Sequence, residues 1–129
     1  MCAHAVRVAL KNINGVEDVN VSLSKGEAVA TLTPANNVRY EQLLRAIEKN
    51  GFVVKGSKVV ADGIMVSNGG ALELQISGSN QRLKLEPANS SVASTAPLTS
   101  KQVEVIGIVP EVSKGRNPEV IRYESIAAK

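Results

Sequence analysis

The hydrophobic period of this chain changes at Gly56-Ser57, and that change narrows the folds open to it. Beyond it, apolar and polar residues alternate in short runs, the two-residue period of half-buried strands. Leu72, Leu74 and Ile76 oppose Glu73 and Gln75, and Leu83 and Leu85 oppose Arg82 and Lys84. Runs of this kind are predicted over Lys58–Ala61 (extensible to Val66), Ala71–Ser77, Gln81–Glu86, Gln102–Val109 and Glu119–Ile126. Ser77-Gly78-Ser79-Asn80 reads as a hairpin turn, and Gly63, Gly69 and Gly70 read as turn residues.

Before Gly56 the period alternates. Val6, Leu10 and Ile13 fall at helical spacing, with Ala9 beside them and Arg7 and Lys11 turned away, which predicts a helix over 3–13 ended by Asn14-Gly15. Val16–Leu23 and Glu27–Leu32 read as two strands joined by a Ser24-Lys25-Gly26 turn. Asn37 is a candidate cap for a second helix over 39–50, whose stripe is Tyr40, Leu43, Leu44 and Ile47. Gly51 stops that helix, and Phe52-Val53-Val54 reads as a short strand. The expected class is therefore α+β: residues 1–55 as one domain, and residues 56–129 as a small five-stranded antiparallel β-barrel. By strand count and spacing the barrel is OB-like. Segment 87–100, rich in Ser, Ala and Pro, lies where an OB fold places its helix, and its composition predicts a mobile loop.

Composition removes several function classes. Only Tyr40, Phe52 and Tyr123 are aromatic, so the cores must be aliphatic. The net charge of +3 is spread over both halves, with no basic run of the kind that binds nucleic acid or membrane surfaces. No apolar stretch approaches the ~20 residues of a membrane helix. No secretory signal opens the chain, so it reads as cytoplasmic as written, or as a cell-envelope protein if a signal peptide lies upstream. A single histidine excludes a Ser-His-Asp triad, and there is no Gly-x-x-x-x-Gly-Lys phosphate loop; the chain reads as a non-enzyme.

The one cysteine, Cys2, opens the segment Cys2-Ala3-His4-Ala5-Val6-Arg7-Val8-Ala9-Leu10. This segment resembles the heavy-metal-associated domain family, in which a Met-x-Cys-x-x-Cys loop precedes the first helix. Counting from the family's second cysteine, an apolar residue stands four on, an Ala-Leu pair seven and eight on, and a Gly-Val pair thirteen and fourteen on. Counted from Cys2, these offsets land on Val6, Ala9, Leu10, Gly15 and Val16. The resemblance covers residues 2–54. It implies a ferredoxin-like βαββαβ domain lacking its first strand, and it places the family's first cysteine two positions ahead of Met1. The favoured expectation is that the chain as written is a fragment or begins at a misassigned start, with a strand and a cysteine ahead of it; the alternatives are a strand supplied by a partner or by the second half, or a fold that differs from the family's. Phe52 falls at a family position where an aromatic side chain packs near the metal loop.

The resemblance implies binding and transfer of a soft metal ion, Cu(I) first, with Zn or Hg(II) as alternatives, and a metal-transporting protein as partner. Thiolates suit such ions, and a helix N-terminus favours thiolate over thiol. Cys2 is the candidate ligand. Met1 is a weak thioether candidate, better explained as a start residue. His4 is a secondary candidate, although side chains two residues apart on a helix do not face each other. With Met1 removed, Cys2-Ala3-His4 could offer a square-planar Cu(II) or Ni(II) site, in competition with helix formation. One thiolate leaves coordination incomplete; two Cys2 thiolates sharing one Cu(I) across a homodimer would supply a pair. The alternative is a non-metal interaction module, in which the first domain keeps the fold without the site and the barrel binds a protein partner or a cell-envelope component. Lys11, Lys25, Arg45 and Lys49 read as solvated surface, able to dock an acidic partner. Single-strand binding by the barrel is a third idea, and it would require salt-sensitive affinity.

Overall fold

The computed structural model describes residues 3–22, 24–33, 36–89, 100–113 and 116–129. The chain divides into two compact units, Met1–Val54 and Lys55–Lys129, and the secondary structure is mixed α+β.

The first unit runs α1 (Ala3–Lys11), β1 (Val16–Ser22), β2 (Glu27–Leu32), α2 (Tyr40–Glu48). Val6 and Leu10, one turn apart on α1, are buried. They form a cluster with Val16 and Val19, against which Ile13, Leu32, Leu43, Ile47 and Phe52 pack. Burying a leucine such as Leu10 is worth about 2 kcal/mol, which matters in a unit this small.

Val16 and Val19 reach the same core across an odd step of three residues. The antiparallel β1–β2 register explains this: Val16 pairs with Leu32 and Asp18 with Thr31, so Glu17 is an extra residue in a bulge. The bulge shifts the face of the strand by one residue and turns Val19 inward.

Gly15, at φ +105°, makes the turn into β1; a Cβ there would lie 2.9 Å from both Asn36 Cβ and Val38 Cγ2.

Two expectations fail in this unit. The residue preceding α2 is Arg39 rather than Asn37, and its backbone N–H donates to Gln42 Oε1 at 2.7 Å. The nearby asparagine that organises the loop is Asn36, which accepts from Val38 N–H and donates to the Thr33 carbonyl. Phe52–Val54 is not a strand. Among the described residues of this unit β1 and β2 pair only with each other, so Phe52–Val54 has no strand to join. Phe52 packs on the core, while Val53 is 66% exposed.

The second unit is a closed barrel of β3 (Gly56–Asn68), β4 (Ala71–Ile76), β5 (Arg82–Pro87), β6 (Gln102–Pro110) and β7 (Val120–Ala128), in the order β3-β4-β5-β7-β6. It is not wholly antiparallel, because β5 and β7 pair in parallel. A closed ring with an odd number of strands cannot alternate direction at every junction, so one parallel pair is required. Met65, Leu74, Val103, Val105, Val109 and Ile121 fill the interior.

Gly63 is not a turn residue. It lies inside β3, where the strand passes from pairing with β6 to pairing with β4. A Cβ there would overlap the Gln75 carbonyl. Gly69 and Gly70, with positive φ, do make the β3–β4 turn, and Gly78 and Asn80 have positive φ in the next turn. Pro87 ends β5 and is not part of a loop; the predicted mobile segment otherwise falls largely on 90–99, outside the described residues.

Candidate functional site

The candidate site is the start of α1. That helix forms because Val6 and Leu10 share a buried face, while His4, Arg7, Val8 and Lys11 stay exposed. Its first turn contains no acidic side chain, so none of its own residues offsets the positive end of the helix dipole. At the other end, Lys11 Nζ donates to the Glu17 carbonyl at 2.6 Å.

Cys2, the principal predicted ligand, and Met1 lie outside the described residues. His4 is exposed in the first turn of α1. Among the described residues no group of three or more His, Cys, Asp or Glu side chains could hold a metal ion. Phe52 belongs to the cluster that contains Val6, so the aromatic residue and the first turn of the helix share one core.

Of the surface cations, Arg45 donates to Glu48 at 2.8 Å along α2, and Lys25 and Lys49 are exposed. Among the described residues no helix is long and apolar enough to cross a membrane.

One feature of the barrel carried no signal in sequence. Lys129 Nζ donates to Asp62 Oδ2 at 2.7 Å across a separation of 67 residues, while Asp62 Oδ1 is buried without a partner. The hydrogen bond and then the charge of Asp62 raise the Lys129 pKa above the ordinary lysine value.

Residues 1–52 match the family model of the Heavy-metal-associated domain. The match covers less than half of the chain, and over that segment the chain is similar to a family of heavy-metal-binding domains. No curated protein matches the chain. No solved structure matches it.

Proposed function

We propose that residues 1–55 form a domain that binds a soft heavy-metal ion, Cu(I) ahead of Zn or Hg(II), and hands it to a metal-transporting protein, with Cys2 as a ligand. The observation that carries this reading is the family match over 1–52; the choice of Cys2 is supported by the offsets from it to Val6, Ala9, Leu10, Gly15 and Val16. The first turn of α1 carries no acidic side chain, which supports a thiolate for the cysteine that precedes it in sequence. A single thiolate does not complete a soft-metal site. The second donor is Cys2 of a second copy; exposed His4 is the lesser candidate within the chain.

The domain is ferredoxin-like. The succession of helix, hairpin and helix around one aliphatic core supports this. The second domain, residues 56–129, is OB-like, and the order β3-β4-β5-β7-β6 with a parallel β5–β7 junction supports that assignment. An OB-like barrel that binds single strands uses aromatic stacking platforms. Tyr123, the barrel's one aromatic, is 5% exposed and offers none.

A second reading, a non-metal interaction module, draws on the absence of a ligand cluster among the described residues. Adding Cu(I) under anaerobic conditions separates the two. The metal reading predicts a thiolate-to-copper charge-transfer band in the ultraviolet and sulfur scattering in X-ray absorption, both lost in Cys2→Ser. The interaction module predicts neither.

A further inference from the structure

The outer face of the barrel carries an ordered surface that the metal reading does not use. Outward residues of β3 and β6 lie in register: Lys58 beside Ile108, Val60 beside Ile106, Asp62 beside Glu104. The residues between them on β6, Val103, Val105, Gly107 and Val109, are buried, so the alternation is clean. On the next strand, β7, Arg122 lies in register with Ile108. Across β3 and β6 the face is thus banded along the strands, with a basic end, an apolar middle and an acidic end; on β7 the exposed Glu124 of the bulge flanks the apolar row. Val60 is 63% exposed and its neighbour Ile106 half-buried, while Ile108, 36% exposed, lies between Lys58 and Arg122 at the basic end. Lys129 holds Asp62 within the same chain, which leaves the acidic end with one net negative charge against two positive charges at the other end.

Such a banded face is complementary to itself. Turning a second copy over about an axis that runs across the strands, along the Val60–Ile106 row, lays apolar row on apolar row. The same rotation sets the basic end of each copy over the acidic end of the other. Turning it about an axis along the strands would instead set like charges together, which costs several kcal/mol per arrangement. The charge order therefore selects one of the two face-to-face two-fold packings, the isologous kind in which each residue's contact is returned.

We propose that the β3–β6 face of the barrel is the interface for a second copy of this chain, packed antiparallel so that Lys58 and Arg122 oppose Asp62 and Glu104 across a strip of Val60 and Ile106. This inference does not depend on the metal reading, because every residue in it lies in the barrel. Few residues make up the face, so the expected Kd is that of a weak interface, between about 1 µM and 1 mM.

Sedimentation equilibrium of the full chain tests this, run with a reductant and a chelator so that no Cys2-bridged dimer can form. Wild type should pass from monomer to dimer in that range, and its Kd should rise at least about tenfold between 0.05 and 1 M salt. Lys58→Glu with Arg122→Glu makes both ends acidic, while Glu104→Lys makes both ends basic. Each variant alone should be monomeric, and an equimolar mixture should associate. Circular dichroism matching wild type confirms that the variants fold. If one does not, the salt dependence of wild type decides. Wild type that stays monomeric to 1 mM, a Kd insensitive to salt, folded variants that self-associate like wild type, or a mixture that stays apart would each overturn the proposal.

Discussion

A Cβ on Gly63 would overlap the carbonyl of Gln75 on the neighbouring strand β4. This close approach occurs where β3 leaves β6 and takes up β4, so it is part of how five strands close. Gly63→Ala should therefore destabilise the barrel by about 3 kcal/mol, since the obstructing atoms are backbone and cannot swing aside. Gly69→Asn, at φ +59° with open space around it, should cost less than about 1 kcal/mol. Urea melts of the two variants check the contrast, and equal losses would contradict it.

The first unit stands on a small core, so one truncation should be felt throughout it. Leu10 is 1% exposed and central to the α1–β1 cluster. Leu10→Ala should cost about 3 kcal/mol and broaden or lower the transition of the first unit, with that of the barrel unchanged. Amide hydrogen exchange resolves the two: protection should fall in residues 6–48 and hold in 56–87.

The Lys129–Asp62 pair makes a pH prediction. Its effect is small, because both side chains are nearly half exposed and screened by water. Folding raises the Lys129 pKa, so the stability it contributes is fully present below the unfolded lysine value of 10.5 and is lost as pH rises through the folded value. The difference in melting temperature between wild type and Lys129→Gln should be constant from about pH 7 to 9 and close in the alkaline range beyond. A difference that grows with alkalinity would contradict the assignment.

These tests mark which parts of the fold could be read from residues. The alternation around Leu72–Ile76 and Leu83–Leu85 located β4 and β5: Leu74, Leu83 and Leu85 are buried, while Leu72 and Ile76 are half-buried. The three-residue step from Val16 to Val19 was visible too, but only the pairing with Leu32 and Thr31 shows that Glu17 is the bulged residue. Gly63 looked like a turn because glycine signals both turns and close backbone approach, and the approaching strand is non-local. The parallel β5–β7 junction is likewise a property of closure, with no signature in either strand. Phe52–Val54 has strand composition, yet a strand needs a neighbour, and composition does not supply one. At the site, Val6 and Leu10 were legible because they recur at helical spacing, whereas the role of Cys2 came only from the family resemblance. The banded face was not, since Lys58, Glu104 and Arg122 come together only across three strands.

The central claim is that Cys2 ligates a soft metal ion. The most direct test is an anaerobic titration of the 129-residue chain with Cu(I) against a competing chelator, beside Cys2→Ala and His4→Ala. The account predicts saturable uptake that Cys2→Ala abolishes and His4→Ala preserves. The stoichiometry distinguishes one ion per chain from one ion shared by two. Uptake in Cys2→Ala equal to wild type, or no uptake by wild type above that control, would contradict it.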